Sequence, residues 1–272
     1  MRKTPFIVAM VLIALTQVVG LAWGQDGGPP VERFETWWRS CAPVRQPVLP
    51  ATLRQQVEIA AATYLAPDQE AAQQVAARLN FTSWAHPSNM CAPLAVAILR
   101  DAGLVQTPKG LQPYWLLDPR QHGYLLYHLF PPERFCYQHF SQSPARMNFR
   151  DFPLQVGDFL YLYAGRWDTF EHVLVVTRVD AQGRAYAVTN LNLEPEGYYV
   201  VREVLLYDPA HPGVGMFAQW ADYHYAAIGL TGSGGFDLWR PLPGAFAAPD
   251  MPTEEGKPFW RRINRGRPPQ PR

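Results

Sequence analysis

Residues 171–190 read EHVLVVTRVDAQGRAYAVTN, and their reading decides the architecture. Val173 to Val176 form an unbroken apolar run, so residues 171–179 predict a strand buried on both faces, in the interior of a sheet. Asp180-Ala181-Gln182-Gly183 supplies turn residues, and 184–190 predicts the returning strand of a hairpin. Upstream, VGDFLYLYAG (156–165) predicts a strand entered through a Gly-Asp turn; downstream, YYVVREVLL (198–206) predicts another. GFDLWRP (235–241) is placed to close the sheet. Consecutive strands with short connections pair most economically as antiparallel neighbours.

The half before the hairpin has a different period. Residues 51–64 and 68–79 have helix-forming composition and apolar spacing, with a break at Ala66-Pro67. HPSNMCAPLAVAILRDAGL (86–104) predicts a third helix. Ser88 and Asn89 are capping-type residues, Pro93 suits a first turn, and Gly103 suits the exit. Leu94, Ile98 and Leu99 mark its apolar face. Residues 105–150, rich in Tyr, Phe, His and Pro, predict a long irregular region. Helices first and sheet second make an α+β chain without an internal repeat.

The 272 residues, 48% hydrophobic, suffice for one domain with a sizeable core or two small ones. Twenty-seven prolines, about twice the usual share, favour turns over a helical bundle. Two cations, Arg2 and Lys3, precede an apolar run from Phe6 to Trp23, and Ala22 and Gly24 suit cleavage before Gln25. Residues 1–24 therefore predict a signal peptide and an extracytoplasmic body, the alternative being an uncleaved anchor. Residues 257–272, KPFWRRINRGRPPQPR, hold six cations and no acid; the 25–256 body carries −7. The expected domain is 25–245, followed by a basic Pro/Arg-rich tail over 246–272 that is either solvated or in contact with an anionic surface. An acidic exported body argues against nucleic acid.

The chain has three cysteines, so an exported protein has room for one disulfide and one free thiol. If Cys91 is the reactive one, Cys41–Cys136 is the remaining pair, with three free thiols as the alternative. Cys136 and His139 share a two-ligand metal spacing that no other residue completes, so neither metal nor organic cofactor is expected. Cys91 lies where a helix N-terminus favours a thiolate and offers free N–H groups to an oxyanion. His172 opens the most apolar strand, and hairpin geometry sets Asn190 beside it to orient the ring, with Asn192 and Glu194 as the alternatives if the register differs. Catalytic Cys91, His172 and Asn190 compete with plainer roles: a buried core thiol, a strand-end ring and a turn residue.

A cysteine opening a helix, a Gly-Asp turn into a strand, a histidine opening the next strand and a polar residue on the one after resemble the NlpC-like papain-fold cysteine peptidases and their CHAP amidase relatives. The matching segments are MCAPLAVAILRDAGL, VGDFLYLY, EHVLVVTRVD and YAVTN, within a core of residues 80–206. Met90-Cys91-Ala92-Pro93 stands where the family commonly has Asp-Cys-Ser-Gly, and cysteine followed closely by proline resembles the bacteriocin leader-processing peptidases instead. The resemblance implies a papain-like fold and hydrolysis of peptide or amide bonds through a thioester. Cys91 would be the nucleophile, His172 the base and acid, and Asn190 the orienter, often on a cell-wall peptide. The alternative is an inactive papain-fold module that binds a peptide or glycan at the cell surface.

Overall fold

A computed structural model of the protein describes residues 36–41, 48–79, 85–107, 110–164, 171–193, 197–222 and 231–246. Residues 1–24, expected to be a signal peptide, the tail from residue 247 onward, Trp84, Trp167, Glu194 and the 80–82 Asn-Phe-Thr triplet lie outside the described residues. The fold is mixed α+β, built on an antiparallel six-stranded sheet.

The two predicted N-terminal helices are α1 (Ala51–Ala62) and α2 (Gln69–Leu79). The predicted third helix is α3 (Cys91–Asp101). All eight residues from Ala92 to Leu99 are buried, so α3 is apolar around its circumference and threads the core rather than lying on it. Gly103 follows with φ +76°, a conformation open to glycine that lets the chain leave the helix. Ser88 and Asn89 do not cap α3 directly. His86 accepts from the Ser88 N–H and Asn89 reaches back to the His86 N–H, closing a 3₁₀ turn over Pro87–Asn89 that delivers Cys91 to the helix start.

The strands are β1 (Phe135–Phe140), β2 (Phe159–Leu162), β3 (His172–Val179), β4 (Ala185–Leu193), β5 (Tyr198–Tyr207) and β6 (Phe236–Pro241). Their order across the sheet is β1-β6-β2-β3-β4-β5. Two features differ from expectation. The region expected to be irregular contributes β1 and the short helix α4 (Gly123–Leu129). And β6 does not close the sheet at an edge; it inserts between β1 and β2, with Trp239 opposite both Tyr137 and Phe159. The β1–β6 pair joins segments about 100 residues apart, which local pattern does not reveal. Gly157 has φ +93°, and a side chain there would press on Pro241, Leu49 and Leu104 at 3.0–3.3 Å, so the Gly-Asp turn before β2 requires glycine.

The sheet has two covered faces. On one, α1 and α3 pack over Phe159, Tyr161, Val173, Val175, Val188 and Trp239. On the other, Phe149, Phe152, Phe217 and Trp220 cover Leu160, Leu162, Leu174, Val176 and Leu238, with helix α5 (Met216–Trp220) contributing the last two aromatics. Period 2 along each strand sorts residues between these faces. Cys41 and Cys136 form a disulfide on the second face, fastening the 39–41 segment to β1, where Cys41 N–H also bonds Tyr137 O at 3.2 Å. Cys91 is the free cysteine.

Candidate functional site

Cys91 is the first residue of α3 and is half-buried against the helical face of the sheet. The reason it reaches the sheet lies in β3. Val176 accepts from Gly157 N–H (2.9 Å) and donates to Asp158 O (2.8 Å), both toward β2. Alternation along an antiparallel ladder then turns the Val173 N–H the other way, toward β4. Pairing between β3 and β4 starts only at Val176–Ala187, so the strands are splayed at Val173. The start of α3 fills that splay, and the N–H groups of Val173, Ala92 and Cys91 itself all lie against the sulfur. Burial nevertheless dominates: it raises the thiol pKa above the ordinary cysteine value, and the neighbouring Glu171 carboxylate adds to the rise.

His172 is not beside Cys91. It shares its sheet face with Leu174 and Val176, opposite the face that carries Val173 and Cys91. Its Nε2 lies 2.9 Å from Thr189 Oγ1, and its ring meets Trp220 edge-on at 4.9 Å. The residue is 4% exposed, and burial lowers its pKa to about 4. The expected His172–Asn190 contact is also absent. Asn190, 7% exposed, donates from Nδ2 to Pro87 O at 2.7 Å and so ties β4 to the turn before Cys91. Thr189 has the ring contact expected of Asn190, because residues 189 and 190 point to opposite faces. The expected Cys-His-Asn constellation is therefore split across the sheet, with Cys91 and Asn190 on one side and His172 on the other.

The remaining expectations resolve individually. Asp158 accepts from the Gln155 N–H (2.8 Å) and from Arg240 at 2.8 and 2.6 Å, in a fully buried pair. Cys136 is committed to the disulfide, which removes it from the Cys136/His139 metal spacing. His139 Nδ1 instead lies 2.8 Å from Asp237 Oδ1, a buried carboxylate that also accepts from the Tyr137 hydroxyl at 2.8 Å and from the Tyr163 hydroxyl. His86 meets the Tyr199 ring edge-on at 5.5 Å.

Cys91 opens into a cavity of about 730 Å³. Ser88, Asn89, Ala92, Val173 and Tyr199 flank the thiol, and Trp115, Leu116 and Leu117 form an apolar wall. Asp118, Gln121, His122, Tyr161 and Glu171 make the polar end. Arg120 organises that end: its Nε and Nη2 donate to Asp118 at 2.9 and 3.0 Å, and Nη2 also pairs with Glu171. Tyr161 donates its hydroxyl to the second Glu171 oxygen. The guanidinium lies 5.3 Å from the centre of the Tyr163 ring, backing the cavity wall. Buried Tyr161 and half-buried Tyr163, each against a carboxylate, are raised above the ordinary phenol range and remain protonated donors. His122 is held by its Nδ1, which lies 3.1 Å from the Asp118 N–H.

Ser88, Asn89 and Cys91 are marked by the sequence as the start of a helix, but nothing there singles out Asp118, Arg120, Gln121, His122, Tyr161 or Glu171. The signal for Glu171 was adjacency: it is one residue from His172 and so faces the side that His172 does not. Asp118, Arg120 and His122 lie in a loop whose sequence has no periodicity to interpret. Comparison with protein-family models, with curated proteins and with solved structures finds no match to this chain.

Proposed function

We propose that this chain is an extracytoplasmic binding module of papain-like, NlpC-type architecture that takes a peptide or glycan in the Cys91 cleft without cleaving it. The observation that carries this is the separation of Cys91 and His172 on opposite faces of the sheet. A thiol kept protonated by burial is a weak nucleophile, and a ring behind the sheet does not reach its proton. The cleft has the attributes of a recognition site instead: a concave volume, an apolar wall at Trp115 to Leu117, and a few polar groups held in fixed geometry by Arg120. The apolar run of residues 6–23 would direct export, and the basic 257–272 segment would add contact with an anionic surface.

The pH profile of Cys91 alkylation by iodoacetamide tests this in wild type and His172→Ala. The expected profile rises only above the ~8.5 of free cysteine and is the same in both proteins. Reaction well below that value, lost in His172→Ala, would overturn the binding role. Two observations favour an exported cysteine hydrolase acting on peptide or amide bonds: the backbone N–H groups of Val173, Ala92 and Cys91 favour the thiolate against its burial, and His122 lines the same cleft. In that case the low-pH reactivity disappears in His122→Ala and survives in His172→Ala.

A further inference from the structure

The polar end of the cleft carries an unbalanced charge. Among the described residues, Asp118 and Glu171 bring two carboxylates to its lining, no Lys or Arg lines it, and Arg120 behind them supplies one guanidinium. The two acids are not equally occupied. Asp118 accepts from the Arg120 N–H, from Arg120 Nε and Nη2, and from Gln121 Nε2 at 3.1 Å. Its side chain is 13% exposed. Glu171 accepts one bond on each oxygen, from Arg120 and from the Tyr161 hydroxyl, and its side chain is 29% exposed toward the cavity. A carboxylate offers about four acceptor positions, so Glu171 keeps capacity for a further donor where Asp118 does not. The donors that Glu171 already has fix its plane, and Tyr161 remains protonated, so neither neighbour competes by changing charge.

We propose that Glu171 receives the cationic side chain of a bound peptide, making the cleft selective for Lys or Arg beside an apolar residue seated at Trp115 to Leu117. This rests on the binding role assigned to the cleft. A lysine or arginine in contact with Glu171 balances the Asp118, Glu171 and Arg120 charges and pairs the remaining Glu171 acceptor positions. A neutral side chain leaves the charge uncompensated, and an acidic one meets two like charges. The selectivity is strongest at low salt, because the site is partly open to water.

The test uses the mature full chain and three hexapeptides, N-acetylated and C-amidated, identical except for a central lysine, norleucine or glutamate. Isothermal titration at low salt is expected to show the lysine peptide binding about tenfold tighter than the norleucine one, and the glutamate peptide weakest. Glu171→Gln removes the charge and keeps one acceptor oxygen for Arg120, while its amide NH2 donates to the Tyr161 hydroxyl oxygen, and the lysine-to-norleucine ratio then falls to about twofold. Glu203→Gln removes the same charge from the exposed pair with Arg178, and the ratio stays at its wild-type value. Equal binding of all three peptides, or a ratio that survives Glu171→Gln, overturns the selectivity and leaves the binding role intact. If none of the peptides binds, peptide recognition by the cleft and its selectivity fall together.

Discussion

Arg240 and Arg120 each hold carboxylates on opposite faces of one sheet. Arg240 bonds Asp158 in a bidentate pair, with side chains 3% and 0% exposed, and its guanidinium packs over the Phe152 ring at 4.6 Å. Arg120 bonds Asp118 and Glu171 at the margin of a cavity, with its own side chain 53% exposed. The first pair is insulated by aromatic packing and also ties down Pro153 O at 2.8 Å, so it anchors the turn before β2. The second is wetted and sits among groups that a ligand would touch. The same chemistry thus serves structure where the dielectric is low and, under the proposed binding role, would serve recognition where solvent enters. Cys91 and His172 divide the same way: the thiol opens to the cleft, and the imidazole is sealed under Trp220.

Breaking each side in turn sharpens this contrast. The largest loss is expected from Asp158→Ala, which strands the buried Arg240 guanidinium and costs about 3–5 kcal/mol in a urea titration. Removing the Cys41–Cys136 disulfide on the same face, by the double alanine variant, is expected to cost about 2–5 kcal/mol in thermal unfolding, because it closes a loop with a sequence separation of 95.

The sealed histidine gives a smaller, pH-dependent effect. His172 titrates near 4 in the folded protein and near 6.5 when unfolded. Above pH 6.5 the ring is neutral in both states and contributes no pH dependence. As pH falls from 6.5 toward 4, only the unfolded chain takes the proton, so stability declines across that window. The loss at pH 5 relative to pH 7 is about 2 kcal/mol, and His172→Gln removes that component from the urea midpoints. The smallest effect belongs to the open face. Arg120→Ala should change stability by less than about 1 kcal/mol at moderate salt, measured by the same urea titration. A loss in Arg120→Ala as large as that of Asp158→Ala would erase the distinction between the two arginines.

Much of the chain's local structure was legible in advance. Residues 51–62, 69–79 and 91–101 are helical where their spacing, the break at Ala66-Pro67 and the glycine at 103 indicated, and the strands after residue 156 lie where apolar runs met turn residues. β1 was not legible. Its FCYQHF sequence lies between prolines in an aromatic-rich region, and its partner β6 is about 100 residues away. The site was half legible: Cys91 stood out because a helix start carries a readable signature. The face of His172 did not, because β3 is apolar on both sides and a two-sided apolar run has period 2 without a phase.

The sequence by itself determined helices α1 to α3, strands β2 to β6, the hairpin at 180–183, the N-terminus of α3 at Cys91 and the α+β class. Each follows from short-range chemistry: side-chain spacing, turn residues and glycine conformations within a few positions. Only the tertiary structure decided which face of β3 meets α3, that β6 slides between β1 and β2, and that Asp118, Arg120, Tyr161 and Glu171 converge beside the thiol. Those outcomes depend on how strands splay and which surface a buried helix covers. They are set by the packing of residues far apart in the chain, where a shift of one residue exchanges a histidine for a glutamate at the cleft.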